Sequence, residues 1–113
     1  MKVEVRPSAH HFMLKPEPLT HALRRLEAAG YVHTLRARAG RLHDLTDGLG
    51  YAPESLTIDE TLRFEGATDP DEQVITFALS LAGHGPLGVY TVPYGPAMPA
   101  ADADVVQRLG RAA

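Results

Sequence analysis

Between Leu56 and Phe64 the chain alternates with a period of two: Leu56, Ile58, Leu62 and Phe64 share one parity, and Thr57, Asp59, Thr61 and Arg63 share the other. This is the pattern of a half-buried strand, with one face in a core and one in water. Gly66 to Glu72 then supplies a glycine, a proline and three carboxylates, a composition that turns a chain rather than extends it. Alternation resumes from Val74 to Leu81, with Ile75, Phe77, Leu79 and Leu81 on one side and Val74, Thr76, Ala78 and Ser80 on the other. Ala82 to Pro86 makes a second reversal, and Leu87 to Val92 is β-branched and aromatic enough for a third strand that Pro93 ends. Short loops between successive strands predict an antiparallel meander.

Upstream the period changes. Leu19, Ala22, Leu23 and Leu26 fall at helical spacing, which predicts a helix over Leu19–Ala29 with Thr20 as its N-cap. Gly30 suits the left-handed residue that closes a helix, and Tyr31 then packs back on Leu26. Tyr31 to Arg38 reads as a strand, and Leu42 to Ser55 as a connecting loop built on glycine turns and closed by Pro53. At the N-terminus, Lys2 to Arg6 alternates as a short edge strand stopped by Pro7, and Ser8 to Pro18 is an irregular arm. After the meander, Tyr94 to Ala101 is a proline-rich loop, and Asp102 caps a short helix with Val105, Val106 and Leu109 inward. The expected fold is α+β: residues 1–18 form an arm, and residues 19–113 form one domain with helices on one face of a roughly four-stranded sheet. One sheet layer under two short helices leaves apolar surface, so a second copy of the chain is expected to cover it in a homodimer.

Composition narrows the chemistry. With 113 residues the chain can bury one core unaided. The absence of cysteine excludes disulfides, thiolate metal sites and cysteine nucleophiles. No stretch approaches the roughly 20 apolar residues that span a bilayer, and the expectation is a cytoplasmic protein without a membrane partner. Residues 1–43 carry eight Lys/Arg against three Glu, a balance of +5, whereas residues 44–113 carry three Arg against eleven acids, a balance of −8. Oppositely charged strands facing each other in the fold or across a dimer account for this asymmetry. A nucleic-acid surface does not fit a short basic segment and a pI near 6.

Glu60 breaks the best strand pattern, because it sits on the parity of Ile58, Leu62 and Phe64. A carboxylate on a core face is costly unless it is paired or solvated. His33 lies on the apolar parity of its own strand, so a Glu60–His33 contact would satisfy both and could line a ligand pocket. Two plainer readings stay open: a bulge that turns Glu60 outward, or a solvent-facing sheet end. Arg36 and Arg38, with Arg41, form a stripe able to grip a phosphate, with cross-strand pairing to Asp59 and Glu65 as the ordinary alternative. His10 and His11 in the arm, and Asp69, Asp71 and Glu72 in the acidic turn, are candidate metal ligands, but no recognised metal-loop spacing accompanies them. The serines lie in no GxSxG context and no phosphate-binding glycine loop exists. No cofactor is implied.

At Ile58-Asp59-Glu60, Arg63-Phe64-Glu65-Gly66, Asp69-Pro70-Asp71-Glu72 and Tyr94-Gly95, and at the helix ending Gly30-Tyr31-Val32-His33, the chain resembles a family of small bacterial proteins labelled phosphoribosylpyrophosphate synthetase. The likeness runs roughly from Leu19 to Leu109 and implies a small α+β domain. The synthetase's paired domains, histidine-bearing loop and acidic pyrophosphate loop have no counterpart here, so synthetase activity is not expected and no catalytic residue carries over. The leading expectation is a non-enzymatic binding or regulatory module. The alternatives are a phosphate- or nucleotide-ligand protein or small enzyme using Glu60 and His33, and an interaction protein that meets a protein partner through its N-terminal arm.

Overall fold

The central strand of the sheet has no charged residue from Val74 to Leu81, and its burial explains why. In the computed structural model, which describes residues 2–7, 17–65, 73–95 and 98–111, both faces of this strand are covered. In chain order the elements are β1 (Lys2–Pro7), β2 (Glu17–Pro18), α1 (Leu19–Ala28), β3 (His33–Arg38), β4 (Arg41–Asp44), β5 (Gly50–Tyr51), a 3-10 turn (Pro53–Ser55), β6 (Leu56–Glu65), β7 (Gln73–Leu81), β8 (Gly85–Pro93), α2 (Ala100–Arg108) and β9 (Gly110–Arg111). The fold is α+β. Six strands of four residues or more make an open mixed sheet in the order β1-β6-β7-β8-β3-β4, extended by the two-residue β2 and β5, while β9 pairs with β6.

The expected strands β6, β7 and β8 do pair antiparallel in turn, but inside a wider sheet than the four strands anticipated. The N-terminal segment contributes β1, which pairs with residues 60–65 of β6. The segment expected to be a loop contributes β4, joined to β3 by a two-residue hairpin in which Ala39 (φ 52°) and Gly40 (φ 76°) are both left-handed. Two positive φ values in succession define the turn that matches strand twist. Alanine is an unusual first residue for it, which is why this hairpin carries no ordinary turn signature. Strand β3 lies parallel to β8, over His33–Leu35 against Gly88–Tyr90.

The helices sit on opposite faces, not on one. Leu35, Leu42, Leu56, Ile58, Ile75, Phe77, Leu79, Tyr90 and Val92 form a core with Val105 and Leu109 at α2. Leu62, Phe64 and Ala78 form a second core with Ala22 and Leu26 of α1. The exchange happens at a β-bulge: Ile58 pairs with Leu79 and Glu60 with Ala78, leaving Asp59 as the extra residue. A bulge inverts the parity that follows it, so Leu56 and Ile58 face α2 while Leu62 and Phe64 face α1. Side-chain direction alternates along β7 and delivers Ile75, Phe77 and Leu79 to one core and Ala78 to the other.

Helix ends differ from expectation in one respect and match it in another. Pro18, not Thr20, is the N-cap of α1, and Pro99, not Asp102, that of α2; neither makes a side-chain cap. A proline held near φ −60° enters a helix readily and gives up no needed donor. At the C-terminus of α1, Gly30 (φ 106°) donates to Glu27 and Tyr31 donates to Leu26, each at 3.0 Å. This is the paired closing bond of a Schellman ending, and Tyr31 packs against the core that holds Leu26. Among the described residues no helix is long and apolar enough to cross a membrane.

Candidate functional site

The bulge concentrates polar groups on the α1 face. Glu60 emerges beneath α1 and is held fork to fork by Arg25, with Nη1 donating to Oε1 at 3.1 Å and Nη2 to Oε2 at 2.5 Å. Both carboxylate oxygens are therefore occupied. Asp59 Oδ2 accepts from the Tyr31 hydroxyl at 2.8 Å and also from the Ser80 hydroxyl. The expected Glu60–His33 contact does not form, because β7 and β8 separate β6 from β3. The same separation removes cross-strand pairing of Arg36 and Arg38 with β6.

Burial, then the Asp59 hydrogen bond and charge, push the Tyr31 phenol up to about 12 from its usual 10. A folded-state value above the unfolded one gives stability that is full below pH 10 and is lost as pH rises toward 12. The thermal midpoint of the wild type should fall across that window. In Tyr31→Phe the fall should be shallower; parallel curves for the two proteins would exclude Tyr31 as its source.

His33 instead meets β4 and the turn that follows it. Its Nδ1 lies 2.6 Å from Asp44 Oδ2, and a carboxylate oxygen of Asp47 completes a group whose ligand atoms all lie within 4.8 Å of one another. Asp44 is 1% exposed. Its Oδ1 accepts from the Thr46 amide at 2.8 Å.

Arg36 and Arg38 belong to a different part of β3. Pairing of β3 with β8 stops at Leu35 and Tyr90; beyond it the strands part around an open cleft of about 300 Å³ lined by Arg36, Ala37, Thr91, Pro93 and Asp102. The Asp102 carboxylate accepts from the buried Tyr90 hydroxyl, whose acidity is strongly suppressed by burial first and by Asp102 second. Thr91 shares a 2.7 Å hydroxyl bond with Thr76. Among the described residues neither Arg36 nor Arg38 has an ion-pair partner. The cleft is thus lined by an exposed arginine and by a carboxylate anchored through one oxygen. His10, His11, Asp69, Asp71 and Glu72 lie outside the described residues.

Reading the sequence alone passes over Asp44, Asp47 and Asp102. Asp44 carries a signal, since it stands on the parity of Leu42 and a polar residue on a core parity marks a site; Asp102 is masked by its resemblance to a helix cap. No family model, curated protein or solved structure matches the chain.

Proposed function

We propose that the protein is a non-enzymatic binding module for a small phosphorylated, hydroxyl-bearing ligand such as a sugar phosphate, taken up in the cleft between β3 and β8. The observation that carries this reading is the meeting of Arg36 and Asp102 where two parallel strands diverge. A guanidinium matches phosphate oxygens bidentately, and the remaining Asp102 oxygen accepts a ligand hydroxyl. Ligands favour crevices at the carboxyl ends of parallel strands, where facing backbone edges are unpaired. The volume suits a small metabolite. The occupied Glu60 carboxylate argues for binding rather than acid–base chemistry at the bulge.

Self-association belongs to the same reading. Val32, Leu45 and Leu49 stand 60%, 57% and 56% exposed, and light scattering should give a dimer mass; a monomer at high micromolar concentration removes this part. For the ligand, thermal shift in a chelating buffer against inorganic phosphate, ribose 5-phosphate and phosphoribosyl pyrophosphate is decisive. A ligand near 100 times its Kd should stabilise the wild type by about 2.7 kcal/mol. Arg36→Ala should lose that shift while folding normally, and Arg38→Ala should lose less of it. An equal shift in wild type and Arg36→Ala would exclude the cleft.

A further inference from the structure

We propose that His33, Asp44 and Asp47 hold a first-row divalent metal ion, of the Zn²⁺ or Co²⁺ kind, at the mouth of the β3–β4 hairpin. Three titratable side chains from two elements converge there: His33 opens β3, Asp44 closes β4, and Asp47 lies in the following turn. That turn is fixed from within, by Gly48 donating to the Asp44 carbonyl at 2.8 Å, Asp44 to the Leu49 carbonyl at 2.9 Å, and Leu49 to Asp47 Oδ1 at 2.9 Å.

Clustered carboxylates alone are common; the condition of the buried atoms is not. The Asp44 side chain is wholly inaccessible, and its Oδ2 has no hydrogen-bond donor. His33 Nδ1 is equally buried and equally without a hydrogen bond, although the two atoms are 2.6 Å apart. They face each other at close range without the alignment that would make the contact a hydrogen bond. A buried carboxylate oxygen with no donor is costly unless a cation reaches it. An ion bonded to both atoms would satisfy both at once.

The donor set indicates the kind of ion. One imidazole nitrogen and two carboxylate oxygens suit a borderline divalent metal, whereas Ca²⁺ and Mg²⁺ take oxygen ligands. Ligands about 2.1 Å from such an ion stand roughly 3 Å from each other. His33 and Asp44 are already near that spacing, and the exposed Asp47 offers a carboxylate oxygen within 4.8 Å of both. The outer side of the site is open, since the His33 side chain is 33% exposed, so water or a ligand atom completes the coordination shell. This site is separate from the Arg36 cleft and does not depend on it.

The test is calorimetric titration of the chelator-treated full chain with ZnCl₂, and with CoCl₂ followed by visible absorption. One ion per chain is expected, with a Co²⁺ spectrum distinct from that of the aqueous ion and a raised thermal midpoint. Asp47→Asn keeps the buried pair intact and should weaken binding at least tenfold; His33→Ala should abolish the spectral change. A His10→Ala/His11→Ala double variant should bind as the wild type does. The proposal is overturned by the absence of stoichiometric binding, by less than a threefold change in Asp47→Asn, or by loss of binding in the His10/His11 variant alone.

Discussion

Gly88→Ala is expected to detach β3 from the sheet and to lower the thermal midpoint by on the order of 10 °C or more. Gly88 stands opposite His33 in the parallel pairing. A Cβ built on it would lie 2.2 Å from the His33 carbonyl oxygen and 2.7 Å from its carbonyl carbon. Both are backbone atoms, so no rotamer change relieves the contact and the strands must separate. Strand β3 carries β4 and the 44–49 turn, and its far end forms one lip of the cleft. Both proposed sites should therefore fail together. Gly83→Ala is the informative control, because Gly83 has a left-handed φ of 81° with nothing within 4 Å of its would-be Cβ. It should cost only about 1 kcal/mol, the penalty for φ alone. Urea denaturation reads both; equal midpoints for the two variants would mean that the close approach of β3 to β8 is not needed.

That glycine was also the clearest sign of strand order available in the sequence. A glycine inside an otherwise β-branched and aromatic run marks a place where another backbone comes near, but it does not say which backbone. Local patterns specify local structure. Helix α1 is legible down to its closing bonds because its stripe and Gly30 act within a dozen residues, and β6, β7 and β8 are legible because alternation and short turns act between neighbours. The position of β3 beside β8 rather than β6 is decided by packing between segments about fifty residues apart, and no short-range pattern encodes it. With the order unknown, His33 is naturally matched to Glu60, the other misplaced polar residue. Their true neighbours, Asp44 and Arg25, are brought to them by a hairpin whose Ala39-Gly40 turn is atypical and by a helix on a face expected to be bare. Double-sided burial left one readable trace, the wholly uncharged Val74–Leu81, since strands covered on both faces read as apolar throughout.

The bulge at Asp59 hides better than any other feature, and shifting the alternation beyond it is expected to have the largest effect of all. Read along the sequence, Leu56, Ile58, Leu62 and Phe64 keep one parity and describe a strand with a single apolar face. In the folded chain the first two serve the α2 core and the last two the α1 core, so the uniform parity in sequence is a split in space. Inserting one alanine between Glu60 and Thr61 would reverse the alternation beyond the bulge and turn Leu62 and Phe64, both 0% exposed, away from α1. Withdrawing two such side chains from that core forfeits roughly 1.5–3 kcal/mol each, and Arg63 would take a place facing α1. The sum, on the order of 5 kcal/mol, is comparable with the whole stability of a small domain, so the insertion variant should be largely unfolded by circular dichroism. Deleting Asp59 instead keeps Ile58 opposite Leu79 and Glu60 opposite Ala78, so Leu62 and Phe64 stay on α1. Like Asp59→Ala, the deletion loses the hydroxyl bonds from Tyr31 and Ser80 and should fold with a deficit of about 1–2 kcal/mol. If the insertion were no less stable than Asp59→Ala, the alternation beyond the bulge would not be what seats Leu62 and Phe64 on α1.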